Sequence, residues 1–214
     1  MQKINKVFLI LLLTIFLGIF YRVYQSNFDD YWFDEYFGFW ISDPQLNFTD
    51  SLNRIIGPGW GVNLLFDFIL KYFYFFSGYY PENGRYFTVF LSSLSIPLLT
   101  YLSYQIDKSK SYLLTAFITS HCWYLISYSQ EVRGYSFGFL LTTISFIIFL
   151  SIIKTNNQNL KKNIYLALVY FLVNFLGLVN HIFFGIVILS QFIFIFNFTD
   201  EKQKLKIFIT SYFS

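Results

Sequence analysis

The chain has 214 residues, of which 56% are hydrophobic, 24% aromatic and only 13% charged, against roughly 25% charged in an ordinary soluble domain. With its positive mean hydropathy, this composition excludes an ordinary water-soluble domain, and a scattered net charge of +3 is too small for a nucleic-acid footprint. The single cysteine, Cys122, excludes an internal disulfide.

A spanning helix needs about 20 largely apolar residues. In chain order the uncharged stretches predict spans over 7–24, 86–106, 111–130, 134–153, 163–180 and 182–199. The first is short and is extended if Arg22 snorkels to the interface. Lys3 and Lys6 precede it as in a signal peptide, but no small-x-small cleavage site follows, so an uncleaved first helix is expected. The stretch 163–199 is too long for one crossing, and Asn180-His181 marks the turn within it. The expected fold class is therefore all-α, a polytopic transmembrane helix bundle.

The lysines set the topology. Lys3, Lys6, Lys108, Lys110, Lys154, Lys161, Lys162, Lys202, Lys204 and Lys206 all fall at the N-terminus or in connections after residues 106, 153 and 199. The six spans alternate so that all of these face the cytoplasm, with the N-terminus, as the positive-inside rule requires. Residues 25–85 then form one long external loop. The apolar segment 58–77 within it cannot cross without inverting everything downstream, and it is expected as an interfacial helix on which Asp67 and Lys71 pair at i, i+4. The alternative is a seventh span. The acids from Asp29 to Glu82, with Glu131, then lie outside, so any chemistry is extracytoplasmic.

Two clusters on that side carry candidate chemistry. Asp34 and Glu35 lie in the aromatic sequence NFDDYWFDEYFGFW, where a carboxylate can serve as a general base if it reaches a hydroxyl. Otherwise the segment is a solvated loop with an interfacial aromatic belt. Glu131 and Arg133 lie in YSQEVRGYSF at an outer turn. On a continuous helix Glu131 would face Tyr135 rather than Arg133. Arg133 is either a helix-end anchor or a phosphate ligand, a task suited to the guanidinium fork. His181 is a proton carrier, a ligand or a structural residue, and His121 is expected to be packed and hydrogen-bonded. No metalloprotease, phosphate-loop or serine-elbow motif is present.

In this order the features resemble bacterial integral-membrane glycosyltransferases of the GT-C type, especially the protein O-mannosyltransferase and lipid A aminoarabinose transferase relatives. The motifs are W-F-D-E at 32–35, R-Y-F-T-V-F-L-S-S-L-S-I-P-L-L-T-Y-L at 85–102, Y-S-Q-E-V-R-G-Y at 128–135, and N-H-I-F-F at 180–184. The most specific is Y-S-Q-E-V-R-G-Y, similar to the family's Y-S-Q-E-A-R-x-Y. The resemblance implies transfer of a sugar from a polyprenyl-phosphate carrier to an acceptor at the outer face of the inner membrane, with lipid and the lipid-linked sugar as partners. It implies Asp34 as catalytic acid/base, Glu35 as its partner, and Arg85, Glu131, Arg133, Tyr135 and His181 as substrate-binding residues. It leaves a divalent metal open and indicates no organic cofactor. The chain has Gly57-Pro58-Gly59 where the family often has H-P-P. Its 214 residues match only the N-terminal part of such an enzyme, so further helices and a C-terminal domain are expected beyond them. The rival readings are a non-catalytic or truncated membrane subunit that binds lipid-linked sugar, and a transporter. The near absence of ionisable groups in the predicted spans disfavours transport.

Overall fold

The computed structural model describes residues 6–57, 63–154 and 160–198, and all regular structure among them is helical. The helices are α1 (Lys6–Val23), α2 (Phe33–Ile41), α3 (Phe48–Ile56), α4 (Leu64–Ser77), α5 (Pro81–Ile106), α6 (Ser111–His121), α7 (Trp123–Ser129), α8 (Tyr135–Lys154), α9 (Leu160–Asn180) and α10 (Phe184–Phe198). Four of them, α1, α5, α8 and α9, are long and apolar enough to cross a membrane. α5 lies at the centre and packs against α1, α4, α6 and α8, and α9 continues the bundle from α8 to α10. α1 buries only 11% of its apolar window, so most of its Phe, Leu and Ile side chains face outward. An outward apolar surface of this kind is stable against lipid rather than water.

Local chemistry sets several boundaries. α5 starts five residues earlier than the uncharged stretch suggests, because Pro81 occupies its first turn, where a missing N–H costs nothing. The expected span 111–130 is broken into α6 and α7 at Cys122, whose backbone is extended (φ −66°, ψ 116°). This break frees carbonyls in the last turn of α6, and Arg22 takes them: Nη2 donates to Thr119 O at 2.8 Å and Nη1 to Ser120 O at 3.5 Å. Arg22 also donates to Gly18 O and Ser92 Oγ and is 1% exposed. It therefore does not snorkel; it binds α1 to α5 and α6. Gly18 permits this approach, since a Cβ there would lie 2.6 Å from Ser120 Oγ.

The polar groups inside the bundle bond to one another. Ser145 donates to Asn174 and accepts from Gln191, which in turn accepts from Tyr170, tying α8, α9 and α10 together.

The segment between α1 and α5 carries three short helices rather than one. α4 corresponds to the expected interfacial helix; residues 58–62 lie outside the described residues. The expected Asp67–Lys71 pair does not form. Lys71 Nζ donates to Ser51 Oγ at 2.6 Å and to Leu46 O, tying α4 to the α2–α3 region, while the Asp67 side chain is buried without an ion-pair partner.

Candidate functional site

Trp32 is the N-cap of α2, and the first turn of the helix carries both acids, where the partial positive charge of a helix N-terminus favours them. Successive residues on a helix diverge by about 100°, so Asp34 and Glu35 point apart and have different partners.

Glu35 turns inward. It is 1% exposed, and its Oε1 accepts from Arg85 Nε at 3.2 Å and from the Val132 amide at 2.9 Å. Its Oε2 accepts from Arg85 Nη2 at 2.9 Å and reaches back to the Trp32 amide at 3.4 Å. Arg85 spends its remaining donors on the loop carbonyls of Ser26, Asp29 and Asp30, and its guanidinium lies 4.9 Å from the Tyr31 ring. Both charges are fully engaged in holding α2, the loop 26–30, α5 and the residue-132 link together.

Asp34 turns outward, to Arg133. Arg133 Nη1 donates to Asp34 Oδ2 at 2.7 Å, with the two side chains 20% and 33% exposed. The guanidinium sits between the rings of Trp32 (5.3 Å) and Tyr135 (4.8 Å). Among the described residues Nε and Nη2 of Arg133 have no hydrogen-bond partner, in contrast to the well-filled guanidiniums of Arg22 and Arg85.

The YSQEVRGY segment is not one helix. Residues 130–134 form a bent link between α7 and α8, so the helical-face comparison of Glu131 with Tyr135 does not apply. Each residue of the link has its own task. Gln130 Nε2 donates to the carbonyls of Arg22 and Tyr24, both at 3.0 Å, capping the end of α1. The Val132 amide holds Glu35, Arg133 holds Asp34, and Gly134 lies so close to Asn63 that a Cβ would meet its Oδ1 at 2.5 Å. Tyr135 packs edge-on against Tyr128 and under Arg133.

Arg133 is also the electrostatic centre of the region. Burial pushes the Glu131 carboxyl above its ordinary value, reinforced by the charge of Glu35 and opposed by Arg133. Burial holds His181 below its ordinary value, and Arg133 lowers it further. Asp67, on α4, is pushed up to about 8 by burial against the opposing pull of Arg133.

The structure thus brings Asp34, Glu35, Arg85, Arg133 and Tyr135 into one assembly, with Glu131 and His181 within its electrostatic reach. His121 is packed as expected, its Nδ1 2.9 Å from Phe117 O. Comparison with family models, with curated proteins and with solved structures gives no match. Among the described residues no three His, Cys, Asp or Glu side chains gather as a metal-ligand set, and no step below runs through a metal. Sequence reasoning did not place Asp67 or Asn63 in this region. The signal for Asp67 was present, since an acid in an apolar segment is costly and usually has a purpose, but the nearby Lys71 offered an ordinary partner.

Proposed function

We propose that this membrane protein transfers a sugar from a polyprenyl-phosphate carrier to an acceptor hydroxyl, on the extracytoplasmic side of a bacterial inner membrane. The observation that carries the reading is the Asp34–Arg133 pair: a half-open carboxylate and a guanidinium with unused donors, contributed by two of the motifs that resemble the GT-C family, one of them the most specific. The lysine distribution supports the outer placement, with the N-terminus in the cytoplasm.

The chemistry follows from the two charges. The donor's phosphodiester approaches along the membrane and takes the unused Nε and Nη2 of Arg133, which presents a planar fork to phosphate oxygens. As the guanidinium turns to present this fork it gives up its one bond, from Nη1, and so releases Asp34 Oδ2. The acceptor oxygen then attacks the anomeric carbon, its proton passes to Asp34, and the anomeric C–O bond breaks with its electron pair going to the phosphate. The leaving lipid phosphate gains negative charge as it departs, so Arg133 binds it more strongly in the transition state than in the ground state. Glu35 and Arg85 act as positioning residues that fix the start of α2, and so the direction of Asp34. On α4 a groove of about 340 Å³, lined mainly by Phe48, Phe68, Tyr72, Phe75 and Phe76 and also by Lys71, offers apolar surface to lipid chains.

The test is a transfer assay in proteoliposomes supplied with polyprenyl-phosphoryl sugars. Asp34→Asn keeps size but removes basicity, so turnover should fall by about 10²–10⁴, the range for general-base catalysis. Near-normal turnover in correctly inserted protein would remove Asp34 from that role and leave a lipid-sugar-binding subunit as the better reading.

A further inference from the structure

Buried polar groups are nearly always hydrogen-bonded, and exceptions call for an explanation. Around Gly134 two exceptions coincide among the described residues. Asn63 packs on the α-carbon of Gly134, and its buried Oδ1 has no partner. Asn180, 1% exposed at the end of α9, donates Nδ2 to Gly134 O at 3.3 Å, while its Oδ1 has no partner. Asp67, 8% exposed, lies one turn after Asn63 on α4, within reach of the Arg133 charge, and among the described residues its carboxyl has no hydrogen-bond or ion-pair partner. The other unpartnered atoms, on Asn27, Tyr74, Ser93, Gln105 and Ser120, are not among the nearest neighbours of Gly134.

We infer that Asn63 and Asn180, gathered on Gly134 beside Arg133, together with Asp67 one turn further along α4, form a subsite that recognises the hydroxyl groups of the sugar on the donor lipid. The inference rests on the lipid-linked sugar reading and adds to it the residues that tell the sugar from its carrier. A hydroxyl is both donor and acceptor. The two amide oxygens are unused acceptors, and with Arg133 engaged by the phosphate they are left to accept from hydroxyl groups, so the cluster matches a polyhydroxylated ligand. An isolated anion would meet the asparagine oxygens unfavourably. Asp67 fits the same role, because burial keeps its carboxyl protonated at neutral pH, and a neutral carboxyl can both donate and accept. Gly134 is required because any side chain there would drive Asn63 off the site.

The experiment compares binding of two kinds of probe to the full chain in nanodiscs: a short-chain isoprenyl phosphate, and the same lipid carrying mannose, glucose or galactose. Wild type should bind at least one sugar-bearing lipid more tightly than the bare phosphate. Asp67→Leu and Asn63→Ala should each lose that preference, on the order of tenfold for the loss of a hydrogen bond that leaves its partner unmade, while binding bare isoprenyl phosphate as wild type does. Asp67→Asn, which keeps a donor and an acceptor, should retain the preference. Loss of both probes in parallel, or an undiminished preference in Asp67→Leu and Asn63→Ala, would overturn the subsite while leaving the lipid-phosphate reading intact. Wild type that binds no sugar-bearing lipid better than the bare phosphate would overturn the subsite too, and wild type that binds neither probe would overturn both.

Discussion

Two acid–arginine pairs start from adjacent residues of one helix, yet they differ in almost every physical respect. Glu35–Arg85 is buried, and every oxygen and donor in it is engaged. Asp34–Arg133 is partly open, makes one hydrogen bond, and leaves Nε and Nη2 unused. A saturated pair resists exchange because each bond it lost would have to be replaced in a medium without water. A pair with spare donors can trade partners. The contrast separates the scaffold of the site from its working part, although the sequence presents Asp34 and Glu35 as a single motif.

The largest effect should come from attacking the scaffold. Removing one partner of a buried, hydrogen-bonded pair leaves an uncompensated charge and costs about 3–5 kcal/mol. Glu35→Ala should therefore lower the thermal midpoint strongly in detergent, and Arg85→Ala should do the same. By comparison Asp34→Asn should change stability by less than about 1 kcal/mol, as expected for partly exposed pairs. Equal destabilisation by Glu35→Ala and Asp34→Asn would erase the distinction.

A smaller effect sharpens the electrostatic side. The folded protein holds the Asp67 pKa at about 8, well above that of an exposed aspartate. Between the two values the folded state binds more protons than the unfolded state, so this group makes stability fall as pH rises through the interval and level off above about pH 8. Asp67→Asn should flatten that part of the stability–pH curve; an unchanged slope would mean that Asp67 is not held protonated. The smallest effect is expected at Arg54 and Asp43, 4.0 Å apart near the surface of α3. Asp43→Asn should shift stability by less than about 1 kcal/mol, as a thermal-melt control.

Much of the fold was legible because lipid-facing helices advertise themselves by hydropathy, and the candidate segments were legible because charge is rare in such a chain. The rest depended on distant partners. Nothing local marks Cys122 as a break, since neither Gly nor Pro lies there; the break is stabilised by Arg22, about a hundred residues earlier. The inward role of Glu35 required the Val132 amide, equally far away in sequence. Lys71 was misread for the same reason, because its partners Leu46 and Ser51 belong to short helices and turns that hydropathy does not register.

The central claim is that Arg133 exchanges Asp34 for phosphate, and the most direct measurement is the affinity of bare polyprenyl phosphate for three variants in nanodiscs. If carboxylate and phosphate compete for one guanidinium, Asp34→Asn should bind the lipid phosphate at least as tightly as wild type. Arg133→Lys and Arg133→Ala should bind it roughly tenfold to a hundredfold more weakly, as a lost charge-assisted hydrogen bond implies. Unchanged affinity in both Arg133 variants, or weakening in Asp34→Asn as large as theirs, would contradict the account.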